Sequence, residues 1–335
     1  MRAAFCSTPG TIGLADVAEP ALGAGDVLVQ VRACGICGSD LHWFHGALPA
    51  PAVCPGHEIA GEIIACAPDV RDLPPTTRVA IEPMVVCRQC HYCRTGRPQL
   101  CPRLRIIGLH RSGGFAERVV VPAYTLFAVP EEIDWPLAAL TEPTAVAVHA
   151  VRLAGVTLGS RVLVLGAGTL GLLCAFAARV AGAAEVLVSA RYPHQRALAQ
   201  RLGAAEPPRQ ADDRIADDVA ADVVMETVGG SADTLTDAVR LVRPAGTVAV
   251  LGVFSSTPTL PALALLAKEV RIVGSLMYDR TSPRPDFQIA IDLIRQHRAE
   301  LADLVTHRFP LDAIQQAFVT ASDKRAGAIK VVVSP

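Results

Sequence analysis

Four cysteines lie within one short segment of the chain and have the spacing of a metal site. They are Cys87, Cys90, Cys93 and Cys101, separated by two, two and seven residues. Four thiolates this close in sequence can close a tetrahedron around zinc, and a closed tetrahedron leaves no position for a substrate. We therefore predict that a lobe of about residues 85–103 is built around a structural zinc ion. Free buried cysteines are the alternative interpretation.

A second set of ligand-type residues is spread more widely. Cys37 and His57 are competent zinc ligands, and a carboxylate from either Glu58 or Glu142 would complete a set of three. A catalytic zinc has three protein ligands and keeps one position open for water or substrate. In that position the metal acts as a Lewis acid and lowers the pKa of a bound alcohol. Each residue alone is more often part of a core, so the prediction depends on the whole set.

A glycine-rich turn follows the apolar run 161–165 and precedes an alanine-rich apolar stretch. The turn matches the pattern G-x-G-x-x-G, which in this context indicates a dinucleotide site. Glycines let the backbone approach the pyrophosphate, and the start of the following helix offers free N–H groups to the anion. A simple turn between strand and helix is the alternative. The predicted cofactor residues of the turn are Gly166, Gly168, Thr169, Leu170 and Gly171.

The end of the next predicted strand carries no acid. NAD enzymes place an Asp or Glu about 20 residues after the glycine turn, where it binds the ribose 2′-hydroxyl. Here that region holds Ala190, followed by Arg191, with Arg196 nearby. A guanidinium can bind a 2′-phosphate through two parallel hydrogen bonds. The sequence therefore favours NADP over NAD. An ordinary surface arginine beside a permissive NAD site is the alternative.

Two kinds of domain are needed to position these residues. Up to about residue 150 the chain is rich in glycine, proline and short β-branched runs, which is typical of a β-rich domain with many turns. From about residue 155, apolar strands alternate with helical stretches, which indicates βαβ units and a parallel sheet. We predict an α/β protein with a β-rich domain up to about residue 150, followed by a parallel-sheet domain that binds the dinucleotide. Within the second domain, the pattern predicts a helix over 232–242 and a strand over 247–251.

The overall composition excludes several classes of function. The chain has 335 residues, of which 51% are hydrophobic, and a net charge of -1. This composition supports a large core and does not favour disorder or a nucleic-acid partner. The sequence shows no run long enough for a membrane helix and no secretory pattern at its start. We expect a soluble cytoplasmic protein without a nucleic-acid or membrane partner.

Taken in order along the chain, these motifs resemble the zinc-containing medium-chain dehydrogenases, and in particular their polyol (sorbitol dehydrogenase-like) branch. The resemblance covers nearly the whole chain. It implies a GroES-like β-rich catalytic domain of residues 1–150 and 285–335, and a Rossmann domain of residues 151–284 with a doubly wound parallel sheet. It also implies a homodimer or homotetramer. The matching segments are 35–40, 56–58, the four-cysteine lobe, 113–117, 166–171, 268–275 and 306–311.

The resemblance also assigns roles to individual residues. It implies two zinc ions per chain, one structural and one catalytic, with the catalytic ion held by Cys37 and His57. Glu58 would act as a further ligand or exchange with Glu142. Ser39 would contact the substrate oxygen and begin a proton relay that His42 continues, and Asp40 would orient the histidine ligand.

Three functional hypotheses follow. The first is a zinc-dependent dehydrogenase that transfers a hydride between NADP or NAD and a small polyol, secondary alcohol or ketone. The second is a threonine or amino-cyclitol dehydrogenase of a biosynthetic pathway. The third is a non-catalytic sensor of zinc and dinucleotide. Trp43, Phe44 and Tyr278 either shape a substrate pocket or are ordinary packing aromatics.

Overall fold

A computed structural model describes all 335 residues, and the chain divides into two compact units. One unit is Met1–Glu142 with Asp279–Pro335, and the other is Pro143–Tyr278. The first division falls inside the continuous helix Thr141–Ala154, whereas we expected it near residue 150. Pro143 lies in the first turn of that helix, where proline is tolerated, so it does not interrupt it.

The strands are numbered in chain order. They are β1 (Arg2–Thr8), β2 (Thr11–Asp16), β3 (Asp26–Gly35), β4 (Glu58–Cys66), β5 (Arg78–Ile81), β6 (Met84–Val85), β7 (Arg105–Ile106), β8 (Arg118–Pro122), β9 (Leu126–Ala128), β10 (Arg161–Leu165), β11 (Glu185–Ser189), β12 (Ala221–Glu226), β13 (Val242–Val250), β14 (Arg271–Gly274), β15 (Val305–Pro310) and β16 (Lys330–Ser334).

The α-helices are numbered in the same way. They are α1 (Gly38–Phe44), α2 (His91–Arg94), α3 (Trp135–Ala139), α4 (Thr141–Ala154), α5 (Thr169–Val180), α6 (Pro193–Arg201), α7 (Thr234–Leu241), α8 (Ala262–Lys268), α9 (Asp286–Gln296), α10 (Arg298–Leu301) and α11 (Ile314–Ser322). None of these helices combines the length and the apolar character that crossing a bilayer requires.

A seven-stranded sheet organises the first unit. Its order is β15-β16-β3-β4-β5-β9, and β8 also pairs with β3. Strand β3 lies inside this sheet, and alternate residues of it, including Val27, Val29 and Val31, are fully buried in the core. It pairs antiparallel with β4, with Gly35 opposite Glu58. This register aligns the end of β3 with the beginning of β4.

A five-stranded parallel sheet organises the second unit. Its order is β11-β10-β12-β13-β14. The continuous apolar character of β10 follows from its central place between β11 and β12, with helices such as α5 packed on the sheet. Two predicted boundaries were wrong: β13 begins at Val242 because that residue pairs with Ala221, and the preceding helix covers only Thr234–Leu241.

Candidate metal and dinucleotide sites

Three zinc-ligand side chains meet at the aligned ends of β3 and β4. Cys37 follows β3, His57 directly precedes β4, and Glu58 is the first residue of β4. Their ligand atoms all lie within 4.8 Å of one another. Sulfur, imidazole nitrogen and carboxylate oxygen are the donor types that zinc uses in proteins, and catalytic sites use three of them. The residues at this position therefore fit a catalytic zinc ion.

Asp40 connects two of these three residues. Its Oδ2 accepts a hydrogen bond of 2.9 Å from the backbone N–H of Cys37, at the beginning of α1. Its Oδ1 lies 3.6 Å from Nδ1 of His57. Burial raises the pKa of Asp40, while His57 and the Cys37 N–H lower it. Asp40 is thus placed to orient the imidazole, which is the role that the resemblance implies.

The surroundings of His57 are anionic. Burial lowers the pKa of His57, but Asp40 and Cys37 raise it by more, so the pKa stands well above its ordinary value. An environment that favours a proton on the imidazole also favours a metal cation bound to the same imidazole. Metal binding requires the imidazole to be neutral, so the ion would displace the proton.

Lys330 belongs to the same cluster, although the sequence analysis did not identify it. Its Nζ donates to both carboxylate oxygens of Glu58, at 2.7 and 2.6 Å, and to the carbonyl oxygen of Ile36 at 3.0 Å. The Lys330 and Glu58 side chains are only 2% and 1% exposed. Gly35 makes room for the pair, because a Cβ there would lie 1.9 Å from Oε2 of Glu58. The available signal was a lysine within an apolar strand, since a buried lysine needs a partner.

Glu142 lies near the cluster but outside the set of three close ligand atoms. It is buried at the beginning of α4. The pKa of Glu142 is raised to about 7, mainly by burial. The nearby His57 lowers this pKa, and the negative charge of Glu58 raises it further. Glu58, and not Glu142, belongs to the set of ligand atoms that lie within 4.8 Å of one another.

The remaining predicted residues of this region lie on α1. Ser39 is half-buried in the first turn and His42 half-buried in the last, and the side chain of neither makes a hydrogen bond within the protein. Trp43 and Phe44 are buried, and their rings lie 5.3 and 5.1 Å from the ring of Phe318. They are packing aromatics of the core.

The four-cysteine lobe has the dimensions of a zinc–thiolate tetrahedron. All four sulfurs lie within 4.8 Å of one another, and Sγ of Cys87 lies 3.9 Å from that of Cys93 and 3.6 Å from that of Cys101. A tetrahedron with Zn–S bonds of about 2.3 Å has edges of about 3.8 Å. Backbone N–H groups, first that of Gln89, lower the pKa of Cys87 to about 5, which favours the thiolate that binds metal.

The glycine turn of the second unit connects β10 to α5. Gly166 has a φ of 104°, in the left-handed region, and a Cβ on Gly171 would lie 2.0 Å from the carbonyl oxygen of Gly166. Both positions therefore require glycine. Gly168 is exposed and precedes the first helical residues, Thr169 and Leu170. The turn and the beginning of α5 thus have the geometry of a pyrophosphate site.

The region after β11 contains no carboxylate at the predicted ribose position. Ala190 is buried, whereas Arg191 is exposed, with no carboxylate partner and its guanidinium carbon 5.6 Å from the ring of Tyr192. Oε1 of Gln195 accepts hydrogen bonds of 3.2 Å from the backbone N–H groups of Arg191 and Tyr192, which holds the turn. Arg196 is directed towards Glu206, at 3.8 Å.

Comparison with known proteins gives the family. Residues 23–131 match the alcohol dehydrogenase GroES-like domain, and residues 169–296 match the zinc-binding dehydrogenase family. The L-threonine 3-dehydrogenase of Aeromonas salmonicida (strain A449) is 32% identical over 336 residues, covering 96% of each chain. The chain belongs to the zinc-containing medium-chain dehydrogenase family. It shares 34% identity over 330 residues with the L-arabinitol 4-dehydrogenase of Hypocrea jecorina, covering 92% of this chain and 85% of that one.

The solved structures agree with this family. A Sinorhizobium meliloti 1021 protein described as a zinc-binding dehydrogenase, with NADP bound, superimposes with a TM-score of 0.88. The two sequences are 34% identical, and the alignment covers 100% of this chain and 99% of that one. The predicted fold class, a GroES-like domain with a Rossmann domain, is confirmed, as is the predicted activity class: this dehydrogenase is a zinc-dependent, NAD(P)-dependent alcohol or polyol dehydrogenase.

Proposed function

We propose that this dehydrogenase interconverts a secondary alcohol of a small polyol and the corresponding ketone, with NADP as its preferred cofactor. The observation that carries the proposal is the close set of Cys37, His57 and Glu58, with a carboxylate where other zinc sites have a second thiolate. The L-arabinitol 4-dehydrogenase supports a polyol substrate. The L-threonine 3-dehydrogenase supports the second hypothesis, a hydroxy amino acid, at a similar level of identity.

We propose Cys37, His57 and Glu58 as the ligands of the catalytic zinc. When bound, zinc supplies Lewis-acid chemistry at the substrate hydroxyl, and the nicotinamide accepts the hydride. Lys330 balances part of the negative charge on Glu58 and holds its carboxylate in place, while Asp40 holds the imidazole of His57. In this scheme Glu142 does not ligate in the resting site.

The proton of the substrate hydroxyl needs a path of its own. Ser39 has a half-buried hydroxyl two residues after Cys37, and that hydroxyl makes no hydrogen bond within the protein. It is therefore available to accept the proton from the substrate. His42, further along α1, is half-buried and can carry the proton on to solvent. The chain thus separates proton transfer, on α1, from metal ligation at the ends of β3 and β4.

The preference for NADP rests on charge. We propose that Gly166, Gly168, Thr169, Leu170 and Gly171 bind the pyrophosphate, and that Arg191 binds the 2′-phosphate. Arg191 suits this role because it is exposed and has no carboxylate partner, while Ala190 offers no repulsive charge. Arg196 would help to bind the 2′-phosphate once its guanidinium no longer pairs with Glu206. The NADP bound to the Sinorhizobium meliloti protein supports this assignment.

A substrate and cofactor panel tests the proposal. Polyols, simple secondary alcohols and L-threonine are assayed for kcat/KM with NADP and with NAD separately. We expect the highest kcat/KM for a polyol with NADP. A clear preference for L-threonine would replace the first hypothesis with the second, and equal or faster turnover with NAD would refute the NADP assignment. The zinc-loaded enzyme turning over none of these substrates would favour the sensor hypothesis.

We also propose that the two units correspond to a catalytic and a dinucleotide-binding domain, and that the enzyme is a cytoplasmic homodimer or homotetramer. Thiolate ligands at both metal sites are maintained most readily in a reducing compartment. Assembly is supported by α8, where Leu263 and Leu266 are 80% and 74% exposed, and by β14, which is the last strand of its sheet. Light scattering should show the assembly, and Leu263→Glu with Leu266→Glu should dissociate it; a monomeric wild-type protein would refute it.

A further inference from the structure

Glu226 is a fully buried carboxylate with no place in the chemistry described so far. It is the last residue of β12 and is 0% exposed. Its Oε1 accepts three hydrogen bonds: from the backbone N–H of Val228 at 2.8 Å, from that of Gly229 at 2.9 Å, and from the hydroxyl of Thr234 at 2.7 Å. A single oxygen thus fixes both the loop after β12 and the first residue of α7.

The second oxygen of this carboxylate has a different environment. Oε2 of Glu226 has no hydrogen-bond donor from the protein. It lies against Gly252, where a Cβ would be 2.4 Å from Oε2 and 2.4 Å from the backbone nitrogen of Gly229. Residue 252 must therefore be glycine if the carboxylate and the loop are to keep these positions. The two observations together describe a loop held from one side by hydrogen bonds and from the other by close packing.

The loop that Glu226 holds lies directly against the glycine turn. Thr227 donates from its backbone N–H and from its hydroxyl to the carbonyl oxygen of Leu165, at 3.1 and 2.8 Å. A Cβ on Gly166 would lie 2.8 Å from Cγ2 of Val228, and one on Gly171 would lie 2.8 Å from the hydroxyl oxygen of Thr227. Any movement of residues 227–230 would therefore displace the turn, or open a gap beside it.

We propose that Glu226 is a positioning residue of the dinucleotide site. Its carboxylate fixes residues 227–230 in the one conformation that supports the turn 166–171, and it thereby sets the affinity for the cofactor without contacting it. The inference rests on the proposed binding of the dinucleotide at Gly166–Gly171. It adds a residue that neither the glycine pattern nor the missing acid after β11 indicates.

Two substitutions at position 226 separate positioning from charge. Glu226→Ala removes the acceptor of three buried donors. Glu226→Gln can keep Oε1 as that acceptor, but it places an amide NH2, which needs acceptors of its own, where Oε2 now lies. Since an unsatisfied buried donor costs about 1–3 kcal/mol, we expect the NADPH dissociation constant to rise at least about tenfold in Glu226→Ala. Glu226→Gln should raise the dissociation constant less than Glu226→Ala does, because it keeps the acceptor at Oε1. The constant is measured by titrating NADPH fluorescence.

A matched control separates positioning from general loss of stability. Val239→Ala creates a cavity at a fully buried residue of α7, in the same core, without removing a hydrogen bond to the loop. We expect this variant to melt earlier than the wild type and to bind NADPH with unchanged affinity well below its melting temperature. If Val239→Ala weakened NADPH binding as much as Glu226→Ala at an equal loss of melting temperature, Glu226 would be only a structural residue and the proposal would be wrong.

Two milder variants keep the test informative if Glu226→Ala does not fold. Thr234→Val removes one of the three hydrogen bonds, and Gly252→Ala displaces the loop sterically while leaving all three acceptor contacts chemically possible. Both should weaken NADPH binding, by about threefold or more, with the zinc content unchanged. Wild-type affinity in both variants would overturn the positioning role of Glu226. It would leave the proposed cofactor site standing, because the wild-type enzyme would still bind NADPH. A wild-type enzyme without saturable NADPH binding would overturn the proposed cofactor site as well.

Discussion

Replacing Lys330 with methionine should destabilise the fold strongly when the catalytic zinc site is empty, because it would leave Glu58 as a buried charge without a partner. The two side chains are 2% and 1% exposed, and the lysine donates to both carboxylate oxygens. Breaking a buried pair on one side costs about 3–5 kcal/mol. For a unit of about 200 residues, that corresponds to a fall in melting temperature of about 6–20 °C. Denaturant unfolding in a Cys37→Ser background, which should keep the zinc of the cysteine lobe and lack the catalytic ion, measures the free energy of unfolding directly.

The same strand pair provides a control. Arg32 and Glu62, on β3 and β4, form an ion pair of 3.3 Å whose side chains are 46% and 24% exposed. Exposed pairs contribute about 0–1 kcal/mol, so Arg32→Met should change the free energy of unfolding by no more than that. The double variant Glu58→Gln with Lys330→Met removes both buried charges and should recover most of the stability lost in Lys330→Met. Equal effects of Lys330→Met and Arg32→Met would refute the reasoning.

Three further predictions concern the cofactor and the two metal sites. Arg191→Ala should lower kcat/KM with NADP by about 10–150-fold, since a charge-assisted hydrogen bond contributes about 1.5–3 kcal/mol. The kcat/KM with NAD should change little. Parallel losses with both cofactors would show that Arg191 does not bind the 2′-phosphate. Glu58→Gln should weaken catalytic zinc binding more than Glu142→Gln, as measured by competition with a chelator, and the reverse order would assign ligation to Glu142. Cys93→Ser should lose the structural zinc and lower the melting temperature, because metal binding is part of the folding free energy of such lobes; an unchanged melting curve and zinc content would contradict the tetrahedral site.

The sequence predicted the parts of the fold that depend on local pattern. The run 161–165, the glycine turn and the following helix are contiguous, so their strand–turn–helix geometry could be inferred directly. The cysteine lobe was equally accessible, because its four ligands lie within fifteen residues of one another. The ends of elements were less predictable: β13 begins at Val242 because of a pairing with Ala221 on another strand, which no local signal shows.

The parts of the site that the sequence missed depend on contacts between distant residues. Lys330 and Glu58 are 272 positions apart and meet only because β16 pairs with the end of β3. Burial of Trp43 and Phe44 likewise depends on Phe318, from α11. The side chain of Glu226 acts locally, but its importance follows from the packing of Gly252, which only the structure shows. Sequence patterns identified the ligands, and the three-dimensional contacts identified the residues that hold them.

The zinc content of the purified enzyme and of its Cys37→Ser variant, measured by elemental analysis, tests the central claim most directly. The wild-type enzyme should contain two zinc ions per chain, one for each cluster of ligand residues that includes cysteine. Cys37→Ser should keep the ion of the cysteine lobe, lose the other, and lose alcohol oxidation while remaining folded. Full zinc content together with full activity in Cys37→Ser would contradict the account.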